Sequence, residues 1–312
     1  MKRQAAAWVS GLMLAAGLQA ADNTPQKAVA PIEPLVNLVE EAKKYGVDGK
    51  ATPSPAKAKE EKKTAQAHAV QWSYSGKTGP AHWGELDEKF ILCKIGRNQS
   101  PVDIRDRHAV DARGLPSLDV VYGTPQFAII NTGHTVQVNY PVGNSYIKLN
   151  NHRYELLQFH FHTPSEHQLA GFNYPMEMHL VHRDGDGNLA VIGILFKEGA
   201  FNPELQKVID RLPKTLGKVE RHKQVQLDLR RFFPADTRFY KYSGSLTTPP
   251  CTEGVWWMVF RQPIEAAPEQ LAAMEKILGA NNRPVQPLYA RTLIKSWFDP
   301  PPEAVQEPLF YY

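Results

Sequence analysis

The chain has 312 residues, with 36 Lys+Arg against 32 Asp+Glu for a formal net charge of +4. Lys2 and Arg3 sit in a leader-like N-terminus, and residues 22–70 hold one more cation than acids, so the remainder is close to neutral. That balance excludes a phosphate-tracking surface and with it nucleic-acid binding. Beyond the N-terminus no stretch approaches ~18 uninterrupted apolar residues, so no transmembrane segment is expected in the mature chain.

In chain order, Met1-Lys2-Arg3 precedes an apolar run from Ala5 to Leu18 and the small residues Ala20 and Ala21. Residues 1–20 therefore read as an export signal, which points to a periplasmic or extracellular protein. Residues 21–70 form an N-terminal extension. Ile32, Leu35, Val36 and Val39 predict one short amphipathic helix ending near Gly46, and the Ala/Lys/Glu/Pro-rich stretch 50–70 predicts a flexible linker. Nearly all the aromatic residues lie beyond residue 70, so 71–300 is the folded domain, followed by a C-terminal extension, 301–312. Within the domain, period-two runs at Ala128–Ile130, Val136–Tyr140, Tyr146–Leu149 and Leu189–Phe196 predict short strands. Helical pattern is confined to Pro203–Leu212 and Pro268–Leu278, and Arg183–Asn188 reads as a hairpin turn. The fold class is mainly β with a few short peripheral helices.

Two cysteines, Cys93 and Cys251, remain in an exported chain. An oxidising compartment favours their pairing, the alternative being two separate buried thiols.

The segment Gln158-Phe159-His160-Phe161-His162 carries the chemistry. On a strand, Gln158, His160 and His162 share one face while Phe159 and Phe161 anchor the other. A second run, Met176 to His182, sets Glu177 and His179 on one face. If the two strands are neighbours, three imidazoles converge, and Gln158 and Glu177 stand ready to accept N–H bonds from them. Three neutral His ligands with an open fourth position is a catalytic zinc pattern.

With these residues in view, the sequence resembles the α-class carbonic anhydrases. The matching stretches are Gly79–Trp83, Gln99–Ile104, Asn131–His134, Gln158–His162, Ser165–His167, Glu177–His182, Leu246–Pro250 and Asn282–Leu288, in the family's order over about 72–297. The resemblance implies a large central, mostly antiparallel twisted sheet with a conical cavity. It implies reversible hydration of carbon dioxide to bicarbonate and a proton by zinc-bound hydroxide, with weak esterase activity as a side reaction. His160, His162 and His179 match the Zn2+ ligands; Gln158 and Glu177 match the groups that orient them. Thr247 and Glu166 match the pair that directs the nucleophile, and His134 matches the proton shuttle, with Tyr74 and Thr132 along its water path. Val181, Val191, Leu246, Val255, Trp257 and Thr248 match the substrate pocket. Cys93 and Cys251 match the disulfide of exported members. Thr163 and Gln137 depart from the vertebrate pattern, where Trp and Asn are usual, which bears on cavity shape and not on the ligand set. Exported members often form a homodimer, for which no interface signature is legible. Two rivals are a binding module on the same fold and another metallohydrolase class. The second lacks any His-Glu-x-x-His motif.

Overall fold

The computed structural model describes residues 70–298, apart from 113–114, 116–117, 125–126 and 150–151. The signal, the amphipathic helix, all but the last residue of the linker and the C-terminal extension lie outside the described residues.

A twisted sheet dominates. Across its main path the strands run Glu220–His222, Phe127–Asn131, Val136–Asn139, His152–His162, Met176–Arg183, Leu189–Glu198, Glu253–Phe260, Phe239–Ser245, Leu293–Lys295 and Ala109–Asp111. Most neighbours are antiparallel. Leu189–Glu198 meets Glu253–Phe260 and Ile264–Ala266 in parallel, as Leu293–Lys295 meets Ala109–Asp111. The fold is the mainly β architecture expected from the sequence.

The predicted strands form within a residue or two of their expected bounds. The Arg183–Asn188 segment is a tight hairpin in which Asp184 Oδ1 accepts from the Asp186 and Asn188 amides at 2.9 and 2.8 Å. Pro203 starts a helix capped by Asn202, whose side chain accepts from the Glu204 and Leu205 amides. That helix ends at Ile209, short of the predicted Leu212, because Arg211 and Leu212 close tighter turns onto Val208 and Ile209. The helix Pro268–Leu278 keeps its predicted span.

The sheet separates two cores. Phe159, Phe161, Met178, Leu180, Ile192, Ile194 and Phe232 pack on one side, all fully buried. Val181, Val191, Leu246, Val255, Trp257 and Tyr242 pack in a smaller cluster on the other. Cys93 and Cys251 are joined in a disulfide that closes a separation of 158 residues. In the chain-entropy account such a loop stabilises by at most about 5 kcal/mol.

Candidate active site

Register places the chemistry. His160 stands opposite His179, and His162 opposite Glu177, on the antiparallel pair His152–His162 and Met176–Arg183. Gln137 flanks His160 on one side and Gly193 flanks His179 on the other. Two residues along the same face, a second row runs Asn139, Gln158, Val181, Val191, Trp257 and Tyr242. The histidine row and the apolar row are thus adjacent by strand pairing alone.

One nitrogen of each imidazole is committed to an acceptor. His160 Nδ1 donates to Gln158 Oε1 at 2.9 Å, His162 Nδ1 to the Asn281 carbonyl at 2.7 Å, and His179 Nε2 to Glu177 Oε1 at 2.9 Å. A carbonyl or carboxylate oxygen only accepts, so the proton of each ring is pinned on that nitrogen and the other keeps its lone pair. Burial pushes all three imidazoles below their ordinary pKa, His162 to about 4, so they are neutral at pH 7. The three ligand atoms lie within 4.8 Å of one another, and the buried His162 Nε2 has no hydrogen-bond partner. An orphaned buried nitrogen is costly unless something binds it. The donor set, its tautomers and this orphan fit a zinc ion.

Around this trio the polar groups are tightly held. Glu177 accepts four bonds: from His167 Nδ1 and His179 Nε2 at Oε1, and from the Glu166 and His167 amides at Oε2. Burial works against its charge, but the His167 and His179 partners hold its carboxyl well below the usual range. Gly193 leaves room for it, since a Cβ there would lie 2.9 Å from Glu177 Oε1. His167 continues through Tyr242 OH at 2.6 Å to Ser100 Oγ at 2.9 Å.

Glu166 is fully buried, and its Oε1 accepts from the Arg283 amide at 2.9 Å. Its Oε2 lies 3.5 Å from His162 Nε2 and 3.8 Å from His179 Nδ1, without a hydrogen bond of good geometry. Burial pushes this carboxyl up to about 7, against the pull of His179, the Arg283 amide and the neighbouring Thr247 hydroxyl. Thr247 and Leu246 are buried on the loop that leaves the Phe239–Ser245 strand. That loop is closed by the Cys251 amide on Thr248 O at 2.8 Å, and Gln99 Nε2 reaches Cys251 O at 3.0 Å. Val181, Val191, Leu246, Val255 and Trp257 form one buried cluster, and the Trp257 ring stands 4.8 Å from that of His179.

His134 is half-buried on a turn held by Thr132, whose hydroxyl accepts from the His134 and Thr135 amides at 3.3 and 3.1 Å. Burial lowers its pKa. Its ring stacks on Trp72 with centroids 3.7 Å apart and planes 9° from parallel. Tyr74 lies 6.4 Å away, and its buried hydroxyl lacks a partner among the described residues. Gln137 turns inward along the strand to donate to Asn139 Oδ1, and Thr163 ties its hydroxyl to Gly279 O.

Sequence reasoning missed Asn281, Arg283 and Trp72. Asn281 reaches His162, and Arg283 reaches Glu166, through main-chain atoms that any residue type supplies; their side-chain bonds join segments distant in sequence. Trp72 carried a signal only as an aromatic at the domain's edge.

A mixed sheet of mainly β fold thus sets three tautomer-fixed histidines, a donor set that could hold a metal ion, beside an apolar wall. The family profile for eukaryotic-type carbonic anhydrase matches residues 78–297. A carbonic anhydrase of Nostoc sp. is 48% identical over 74% of this chain and 88% of its own length. The α-carbonic anhydrase of Thermovibrio ammonificans, solved with the inhibitor sulfanilamide, shares 46% identity with a TM-score of 0.70, covering 72% of this chain and 99% of that one. Dioscorin, solved in complex with ascorbate, shares 30% identity with a TM-score of 0.68, covering 72% of this chain and 97% of its own. The chain belongs to the α-carbonic anhydrase family and is an enzyme of that class.

Proposed function

We propose that the protein uses one zinc ion, held by His160 Nε2, His162 Nε2 and His179 Nδ1, to hydrate carbon dioxide reversibly to bicarbonate and a proton. The observation that carries this reading is the convergence of three lone-pair nitrogens whose tautomers are fixed by Gln158, Asn281 and Glu177. Zinc so bound supplies a water acidified to a pKa of about 7, a figure for which carbonic anhydrases are themselves the reference case.

The chain's own residues do the rest. Glu166, when ionised, only accepts; it therefore accepts a hydrogen bond from the Thr247 hydroxyl and leaves that oxygen's lone pairs turned toward the reacting water. Val181, Val191, Leu246, Val255 and Trp257 give an apolar wall suited to a small substrate without net dipole, and Thr248 adds a polar edge for bicarbonate. Tyr74 and Thr132 flank the route to His134. His134, neutral at pH 7, accepts the product proton on a free ring nitrogen and passes it to solvent. The same pocket suits slow hydrolysis of activated esters.

Stopped-flow hydration, with zinc content, tests this on wild type, His179→Ala and His134→Ala. Fast hydration with one zinc, lost in the first variant and slowed mainly at low buffer in the second, is expected. Full zinc occupancy without hydration sinks the reading and leaves a binding protein on this fold. The Cys93–Cys251 disulfide supports an oxidising compartment, and we place the enzyme in a periplasm, with residues 1–20 as its signal, 71–300 as the catalytic domain and 21–70 and 301–312 as extensions. Among the described residues no helix is long and apolar enough to cross a membrane.

A further inference from the structure

Asn281 uses all of its hydrogen-bonding groups within the site. The residue is buried, with 1% exposure. Its carbonyl holds His162 Nδ1 at 2.7 Å, and its amide donates to Thr163 O at 3.1 Å. Its side-chain Oδ1 accepts from the Thr163 amide at 2.7 Å. Its Nδ2 donates to His134 O at 2.9 Å and to Phe161 O at 3.0 Å. These partners fix which way the side-chain amide points: a flip would set oxygen against two carbonyls and nitrogen against an N–H.

Asn281 therefore grips a metal-binding imidazole through its main chain and the His134 turn through its side chain. The rest of that turn is held by its own residues and by the Trp72 ring stacked on His134. Thr132 holds it internally, and Gly133 takes φ +88°, which a residue with a Cβ adopts at a cost. Its hydrogen bonds back to the His152–His162 strand join Thr135 Oγ1 to the Phe161 carbonyl at 2.6 Å and to the Phe161 amide at 3.3 Å, and the Asn281 side-chain amide bridges the two segments, since it alone of these groups also reaches the His134 carbonyl.

We propose that the Asn281 side chain is a positioning residue for proton transfer: it sets the place of His134 relative to the three histidines by clamping the His134 carbonyl to the strand that carries His160 and His162. The proposal rests on the shuttle reading of His134. Its physical basis is that a shuttle works through a water path of fixed length, and small misplacements far from the chemistry cost rate.

Asn281→Ala and Asn281→Asp, made in the full zinc-loaded chain, test it. Both keep the backbone carbonyl, so zinc content should stay at one per chain. In weak buffer kcat should fall about 5- to 10-fold. The ratio kcat/KM, which reports steps before the proton leaves, should change less than about 2-fold. Added imidazole buffer should restore kcat. Asn281→Asp keeps the volume and the bond to Thr163 but sets a carboxyl oxygen against the His134 and Phe161 carbonyls, so it removes the clamp without leaving a cavity and carries the test alone if the alanine variant does not fold. Independently of turnover, NMR order parameters at the His134 and Thr135 amides should drop in either variant. A parallel loss of kcat and kcat/KM without imidazole rescue, or unchanged order at His134, overturns the proposal. The two readings separate through His134→Ala. If that variant leaves kcat intact in weak buffer, the shuttle reading fails; if it slows kcat while the Asn281 variants do not, only the clamp fails.

Discussion

The two faces of the His152–His162 and Met176–Arg183 strands share one backbone and do opposite work. On one face Phe159, Phe161, Met178 and Leu180 are fully buried in the larger core, with the Phe159 and Phe161 rings edge-to-face at 5.7 Å. On the other, His160, His162 and His179 pair each inner nitrogen with an acceptor and aim the second at a common point. The comparison teaches a division of labour. Apolar packing is non-directional and supplies rigidity, whereas the polar face is directional and supplies chemistry, and a period of two lets each residue serve only one.

That division can be broken from either side. The largest effect is expected for His179→Ala, which removes a ligand: hydration should fall on the order of 10⁴-fold with zinc lost, while the zinc-free chain loses only about 1 kcal/mol, because Glu177 keeps three of its four donors. The opposite face should respond inversely. Phe161→Ala should cost about 4 kcal/mol in denaturant unfolding, while turnover per folded, zinc-loaded molecule stays within a few-fold. Comparable activity losses in both variants, or comparable stability losses, would erase the distinction between the faces.

Glu166→Gln sharpens the polar side further. Glutamine can still accept from the Arg283 amide, but it presents a donor where Oε2 now stands. Zinc should be retained while kcat/KM falls roughly 10²-fold.

The smallest effect concerns pH. His182 lies on the core side between Tyr122 OH at 2.8 Å and Ala190 O at 3.2 Å, and burial holds it down to about 3. Below pH 6.5 the unfolded chain takes up a proton that the folded imidazole refuses, so stability present above that pH is lost as pH falls toward 3. The three site histidines, also lowered by burial, act the same way in the zinc-free chain. Glu166, raised to about 7, acts in reverse. His182 by itself should account for about 2 kcal/mol of the stability lost between pH 7 and pH 5, read as the difference between the zinc-free wild type and His182→Gln in denaturant unfolding. The same pH dependence in wild type and His182→Gln would mean that His182 is not held neutral.

Much of this site was legible because it lies in local alternation. Gln158, His160 and His162 share a face by the geometry of a strand, and so do Glu177 and His179; the structure brings both sets together as neighbours in register. The predominance of β-structure followed from the same period, and the hairpin at Arg183–Asn188 from its Gly, Asp and Asn. Helix ends were less legible, since the stop at Ile209 depends on which carbonyls the following turn can reach.

The sequence by itself determined which side chains can be ligands, which can orient them and which must be buried, because residue type and a two-residue period suffice for that. Tertiary structure alone decided how the site is closed. The acceptor for His162 is a carbonyl 119 residues away, the donor to Glu166 Oε1 is the Arg283 amide 117 residues away, and the stacking partner of His134 is Trp72. Backbone N–H and C=O groups are the same at nearly every position, so their identity as partners is written in no residue type. It appears only when the folded sheet sets the Asn281–Arg283 loop against the His162–Glu166 segment.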